Sequence, residues 1–343
     1  MYLSLAMFFW CQAGIPELQR TQLRAFDFVD EENPATMLEG VAGLGSNGHH
    51  LFVMAANSPY VLELDSRPRL VRRIGRRGNG PEDTGIHGLQ GLAVTQQGLF
   101  VISNNGKPAM HYYEKGEHLF RFNLLSMPMV SRVSNIFAVS DQQIMTAAHA
   151  KTGHLGLVYD YGGGPEARAG KLLPMNKGDL RYNPAINDTY WQYDGTYWYC
   201  LFKYRPFLRV YNRDFTRIKE WTLQGPEISK KEKDFFARAE KKIKYGNISF
   251  PFPYFDEFKL FGNHLYFTCG KILYKLRKDD GRLISRTAFY GEGPGFEEVT
   301  PGGNLNLSYF AFLNTGRLVL ASRFNAWGSD LWTVDALIAK PLK

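Results

Sequence analysis

The chain has 343 residues, of which 44% are hydrophobic and 15% aromatic, with 34 glycines and a formal net charge of +8. That length admits one large all-β domain or two ordinary ones, and the glycine and aromatic content argues against a helical bundle. The charge gives a mild preference for anionic partners and carries no information about the fold.

Residues Met1 to Ala13 form an apolar start that is too short to span a membrane as a helix but suits the core of a signal peptide. Cys11 and Ala13 would stand at −3 and −1 of a cleavage before Gly14. The basic n-region is absent, so residues 1–13 are expected to be a signal peptide with a truncated start, and the protein to be exported to the periplasm or beyond. Lipidation of Cys11, which would anchor the N-terminus, is the minor alternative because Phe8, Phe9 and Trp10 are bulky for such a site. No later segment is apolar for long enough to cross a bilayer. Cys200 and Cys269 each sit in an apolar strand pattern, without metal-ligand spacing, and are expected to be buried free thiols.

From there the chain reads as a repeat. Six times a turn signal precedes a short apolar run: Asn47-Gly48 before Leu51, Gln97-Gly98 before Leu99, Asp141-Gln142 before Ile144, Asp194-Gly195 before Tyr197, Gly262-Asn263 before Leu265, and Thr315-Gly316 before Leu318. The steps between these runs are 48, 45, 53, 68 and 53 residues. A second strand follows each run, as at Tyr60–Leu64, Ala109–Tyr113, Phe207–Tyr211 and Leu331–Val334, and then a returning strand, as at Leu70–Ile74 and Leu283–Phe289. A period near fifty with four strands per unit predicts a six-bladed propeller occupying residues 22–343 as one domain. The sixth unit runs out soon after Asp335, so the alternating segment Gln22 to Val29 is expected to pair with it and close the ring.

Gly75–Asp83 and Gly291–Glu297 are the punctuation of this repeat, with glycines free to adopt positive φ and a proline that ends a strand. Within them, Gly78-Asn79-Gly80-Pro81-Glu82 and Gly291-Glu292-Gly293-Pro294-Gly295 resemble the G-x-G-P blade motif of NHL-type six-bladed propellers, in particular the exported bacterial group. The resemblance runs from about Gln22 to the C-terminus and bears on fold alone. Blade three departs from it, since Gly162-Gly163-Gly164-Pro165 falls in an internal hairpin.

The long step of 68 holds an insertion: without Glu227–Gly246, 20 residues, it returns to 48. Ser229-Lys230-Lys231-Glu232 has the form of a capping box, and Phe235, Phe236, Ala239 and Ile243 make a narrow apolar stripe, which together predict a helix over 229–245. Connections between blades emerge on the channel face, so this helix is expected to cap the channel. Tyr190, Trp191, Phe252, Tyr254 and His87 are the candidate ligand-binding residues around it, although seating the inserted helix and filling the core is the simpler explanation of the aromatic ones.

Residues just before the first strands, Glu39, His87, Asn135, Asn187, Asp188, Asp256, Glu257 and Asn306, are oxygen-rich. The lactonases resembling senescence marker protein hold calcium with a glutamate, asparagines and an aspartate in such a channel, which by blade position implies Glu39, Asn135, Asn187 and Asp256 here. No G-x-S-x-G elbow, phosphate loop or cluster of histidines points to other chemistry. The arginines at 72, 73, 76 and 77 offer a basic cluster for phosphates or acidic glycans, with nucleic acid the weaker idea. The leading expectation is therefore a monomeric, exported, non-catalytic binding propeller without a cofactor, taking a ligand or protein at its capped face. A calcium-dependent lactonase-like hydrolase is the alternative.

Overall fold

The computed structural model describes residues 15–26, 41–55, 58–67, 69–78, 80, 82–84, 89–104, 108–124, 136–138, 143–147, 153–173, 186–234, 253–291, 309–321 and 331–334. After β1 (Leu18–Phe26) come four antiparallel sheets of four strands each, every one built from consecutive segments. They are β2 (Val41–Ser46) to β5 (Leu70–Ile74) through β3 (Leu51–Ala55) and β4 (Val61–Leu64); β6 (Leu89–Val94) to β9 (Glu117–Asn123) through β7 (Gly98–Asn104) and β8 (Pro108–Glu114). Next are β10 (Ile136–Ala138) to β13 (Pro165–Lys171) through β11 (Gln143–Ala147) and β12 (His154–Asp160); and β14 (Thr189–Tyr193) to β17 (Arg217–Thr222) through β15 (Trp198–Phe202) and β16 (Phe207–Tyr211). A helix, α1, occupies residues 226–234. The remaining strands are β18 (Phe258–Phe261), β19 (His264–Cys269), β20 (Ile272–Arg277), β21 (Leu283–Gly291), β22 (Tyr309–Phe312), β23 (Leu318–Ala321) and β24 (Leu331–Val334).

Where six blades are expected, the described strands form five sheets, the fifth with eight strands in the order β18-β19-β20-β21-β1-β24-β23-β22. The physical reason is β1, which is longer toward the N-terminus than the expected Gln22–Val29. Its first part, Leu18 to Leu23, runs parallel to β21, and its last, Arg24 to Phe26, antiparallel to β24. One strand thereby covers two edges that would otherwise expose unpaired N–H and C=O groups.

The innermost strands lie side by side in the order β22, β2, β6, β10, β14, β18. Phe261 of β18 stacks on Phe312 of β22 with ring centroids 4.6 Å apart, bringing the first and last of that series together. Between sheets the core is a set of apolar seams, such as Tyr199, Leu201 and Val210 against Phe258, Phe267 and Tyr274, rather than one central cluster. This radial array is an all-β propeller that carries helix α1 between β17 and β18.

A register slip of one residue recurs at the same place in five third-to-fourth strand pairings, between Glu63 and Leu64, Tyr112 and Tyr113, Val158 and Tyr159, Val210 and Tyr211, and Lys275 and Leu276. The skipped residues opposite are Val71, Leu119, Glu166, Ile218 and Ile284. The four aliphatic ones are among the exposed large hydrophobics of the chain. A bulged residue is turned out of the pleat, so their exposure follows from backbone geometry and calls for no partner.

Neighbouring sheets are also keyed together at their outer turns. Gly281, between β20 and β21, has φ +72°, and a Cβ there would come within 2.4 Å of the Trp221 ring on β17 of the preceding sheet. Gly116 and Gly163 meet Arg72 and Phe122 in the same way. Gly281→Ala is therefore expected to destabilise by about 2–3 kcal/mol, combining left-handed strain with a ring that must move, whereas Gly262→Ala should cost about 1 kcal/mol. Gly262 also has positive φ, +57°, but a Cβ there meets nothing within 4 Å. Urea denaturation of both variants makes the comparison.

The Gly75–Asp83 stretch is the link from β5 toward β6. Asp83, buried, accepts from Gly80 N at 2.6 Å and Arg76 Nε at 2.5 Å, and a Cβ on Gly78 would lie 2.1 Å from its carboxylate. The glycine is required because the turn is built around that carboxylate. Gly162–Pro165 stands where the sequence placed it, at the hairpin joining β12 to β13.

Candidate functional site

The site is built where the first two strands of neighbouring sheets end. In the hairpin of β14 and β15, Lys203 N donates to Asp188 O at 2.9 Å, which sets the two residues side by side just beyond the strands. The side chains follow: Lys203 Nζ lies 3.2 Å from Asp188 Oδ2 and 4.4 Å from the centroid of the Tyr190 ring, and both charged groups are about 5% exposed or less. An ammonium held between a carboxylate and an aromatic face is doubly stabilised, which is what permits its burial.

The adjoining sheet contributes Asp256 and Glu257, just ahead of β18. Tyr190 donates its hydroxyl to the Asp256 carbonyl at 2.7 Å, and the Gln192 side chain bridges to Phe258 O and Leu260 N at 3.2 and 3.3 Å, tying β14 to β18. Glu257 is buried, accepts from Phe258 N at 3.1 Å and lies 3.6 Å from Lys259 Nζ. Burial pushes its carboxyl above the ordinary range, with Lys259 and Lys203 opposing the shift. Burial likewise pushes Tyr190 well up, reinforced by Glu257, Asp256 and Asp188, so the phenol stays protonated and acts as a donor.

Helix α1 lies against this corner. The expected capping box at Ser229 is corrected: the helix already runs from 226, Ser229 N donates to Gly225 O at 2.9 Å inside it, and Pro226 takes the first turn, where a missing N–H costs nothing. Residues 235–245 of the expected helix lie outside the described residues. Lys231 donates to Pro253 O at 3.0 Å and lies 3.6 Å from Asp256 Oδ2. Arg286 of β21 donates to Glu227 Oε1 at 2.5 Å and to Pro16 O at 3.2 Å, and Tyr274 donates to the other Glu227 oxygen. Burial pushes Glu227 up, but the bonds from Tyr274 and Arg286 outweigh it and hold the carboxyl below its usual value.

Of the candidate ligand residues, Tyr190, Trp191 and Tyr254 are all buried. Tyr190 and Trp191 are successive on β14 and face opposite ways: Tyr190 joins the seam with β18 and β19, Trp191 the seam with β11 and β12. Tyr254 packs in the same seam as Tyr190, and its N–H donates to Lys203 O at 2.7 Å. Phe252 and His87 lie outside the described residues. Of the candidate metal ligands, Glu39 and Asn135 do too. Asn187 Oδ1 accepts from Leu173 N at 2.7 Å, and Asp256 is engaged by Lys231. Among the described residues no three His, Cys, Asp or Glu side chains converge as metal ligands.

Sequence reasoning passed over Lys203. Its one signal is a lone lysine closing the apolar run Trp198–Phe202.

A second polar cluster lies on β7 to β9. Ser103 Oγ is 2.8 Å from His111 Nε2, and His111 Nδ1 is 3.2 Å from His118 Nε2. The pairing has the look of a nucleophile and base, but Ser103 and His111 are 1% and 0% exposed, which closes them to a substrate. Cys200 and Cys269 are free and buried, and burial pushes the Cys269 thiol up to about 12.

No protein family matches the chain by sequence, and no curated protein does. Solved structures resemble it in fold. A protein assigned as exported, from Bacteroides fragilis, has a TM-score of 0.57 at 11% identity, covering 92% of this chain and 99% of its own. Streptogramin B lyase has a TM-score of 0.50 at 9% identity, over 91% of this chain and 97% of its own. At such identities the likeness is one of fold, and the chain is similar to both as a β-propeller.

Proposed function

We propose that this chain is an exported, six-bladed propeller of the NHL type that binds a polar ligand, or a protein presenting one, where α1 meets β14 and β18, without performing chemistry on it. Counting the eight-stranded sheet as two blades that share β1 supports the number six, as does the side-by-side series of six innermost strands. The apolar start Met1–Ala13 and the fold likeness to a protein assigned as exported support export. Among the described residues no helix is long and apolar enough to cross a membrane.

The observation that carries the binding reading is the buried Lys203–Asp188 pair over Tyr190, beside the buried Glu257. Well-packed apolar residues would stabilise that position as well or better, so a costly polar cluster there is better explained by recognition than by stability. Lys259 and Lys231, each about a quarter exposed, are the groups a ligand would meet first. The test is thermal-shift fluorimetry against small sugars, amino acids and dicarboxylates. At least one class is expected to raise the melting temperature by about 3 °C at saturating concentration, and Lys231→Gln/Lys259→Gln to remove the shift. No shift from any class, or one unchanged in the variant, overturns the site.

The calcium-dependent hydrolase remains a second reading through Glu39 and Asn135. Hydrolysis of a lactone that requires added calcium and is lost in Glu39→Gln would replace the first reading.

A further inference from the structure

The outer edge of the β2–β5 sheet carries a feature that the axial site does not use. Arg67, Arg69, Arg73 and Arg77, on and beside β5, are all exposed. Of the acids that flank them in the sequence, Glu82 is exposed and the other three are engaged by the protein itself. Glu63 is 5% exposed and holds His50 Nδ1 at 2.5 Å and Arg72 Nε at 2.8 Å. Asp65 folds back on its own turn, accepting from the N–H groups of Arg67 and Arg69 at 2.7 and 3.0 Å. Asp83 is committed to Arg76 and Gly80. Residues 63–83 carry six arginines and four acids, and with three of those acids committed to the protein's own groups the surface is more cationic than that count. Two neighbours extend the belt: Arg317, from the hairpin between β22 and β23, donates to Ser66 O at 3.1 Å, and exposed Lys115, between β8 and β9, accepts from Arg72 through its carbonyl.

We propose that this edge binds an acidic polysaccharide, a linear chain of sulfate or carboxylate groups, along the belt from Arg317 through β5 to Lys115. Guanidinium groups suit oxyanions because their fork of donors matches two oxygens at once. The exposed residues of the belt include no aromatic ring, so it has none of the stacking platforms with which proteins hold single-stranded bases. That chemistry favours a polyanion without bases. The proposal rests on charge at the sheet edge and stands apart from the axial site.

Heparin serves as the probe, with the full chain and its variants compared by titration calorimetry at about 0.1 M salt, where surface charges are partly screened. Arg67→Gln/Arg69→Gln/Arg73→Gln/Arg77→Gln is expected to bind about tenfold more weakly or worse, with a shallower dependence on salt. Lys230→Gln/Lys233→Gln/Lys271→Gln/Arg282→Gln removes the same charge from exposed positions elsewhere and is expected to change affinity less than about twofold. Melting temperatures report that both fold. Equal losses in the two variants would reduce the effect to net charge and overturn the proposal. So would an absence of heparin binding, or displacement of heparin by a single-stranded oligonucleotide at equal charge concentration.

Discussion

Lys203→Met is expected to destabilise the protein by about 3–5 kcal/mol, the largest effect of any single change considered, because it removes the ammonium from a buried carboxylate and leaves the length of the side chain intact. The pair is 3.2 Å apart, with the two side chains 4% and 5% exposed, so water cannot take over the role of the lost cation. Asp188→Asn removes the opposite charge and leaves Lys203 over the Tyr190 ring, for which about 2–3 kcal/mol is expected. The double variant should recover a large part of the sum, since neither uncompensated charge remains, giving a coupling of about 2 kcal/mol or more in a double-mutant cycle. Urea denaturation of the four proteins measures it. A single-variant loss near 1 kcal/mol would mean that the pair is solvated like a surface salt bridge, and the argument that the cluster exists for recognition would fall with it.

The repeat was legible because its signals are local. Asp194-Gly195 and Gly262-Asn263 mark hairpins through the chemistry of a few adjacent residues, and both stand where that chemistry puts them, Gly195 with φ +93° and Gly262 with +57°. Pairing between distant segments was less so. The alternating pattern of Gln22–Val29 pointed to a strand that pairs with β24, but nothing in Leu18–Leu23 announces a parallel alignment with β21 on the other edge. The helix start was misplaced for a comparable reason: Ser229-x-x-Glu232 has the residues of a capping box, yet Gly225-Pro226 had already begun the turn. The site was half visible. Residues before the first strands were the right place to look, and they yielded Asp188 and Glu257 among the oxygen-rich set. Lys203 was not visible, because its burial depends on an aspartate and a ring across the hairpin, and a sequence pattern shows that strands pair without showing which way a long side chain turns. The opposite facing of Tyr190 and Trp191, by contrast, follows from strand periodicity alone.

Acid is expected to loosen the sheets at β8 before the carboxylates with depressed pKa values titrate. His111 is faced by His118 and Arg121 on β9, Tyr113 on its own strand, Ser103 on β7, and the link carrying Arg76, Glu82 and Asp83. Burial first, then His118 and Arg121, depress its pKa to about 4, against the opposing pull of Asp83. In the unfolded chain the ring returns to about 6.5. Between those two values the unfolded state takes up a proton that the folded state refuses, so stability is fully present above pH 6.5, falls as pH drops toward 4, and levels off below it. The loss is at most about 3.5 kcal/mol for His111 alone, from about 1.4 kcal/mol per unit. His118, also lowered by burial, adds in the same direction. Asp83, Asp194 and Glu227 have depressed pKa values and act at lower pH, below the ordinary carboxylate range, so their contribution is separable on the pH axis. Glu257, whose carboxyl burial holds above its ordinary value, acts in the opposite sense by taking up its proton first in the folded state, so the His111 contribution is read as the difference between the urea midpoints of wild type and His111→Gln from pH 7.5 to 4. In His111→Gln the limb between 6.5 and 4 should flatten, whatever that variant loses at neutral pH. In His118→Gln, which leaves His111 buried without its cationic neighbour, the limb should shorten from its acid end, because the His111 pKa moves back toward 6.5. A wild-type limb no steeper than that of His111→Gln from pH 6.5 to 4 would show that the seam admits the proton, and that the ring is not held as its surroundings require.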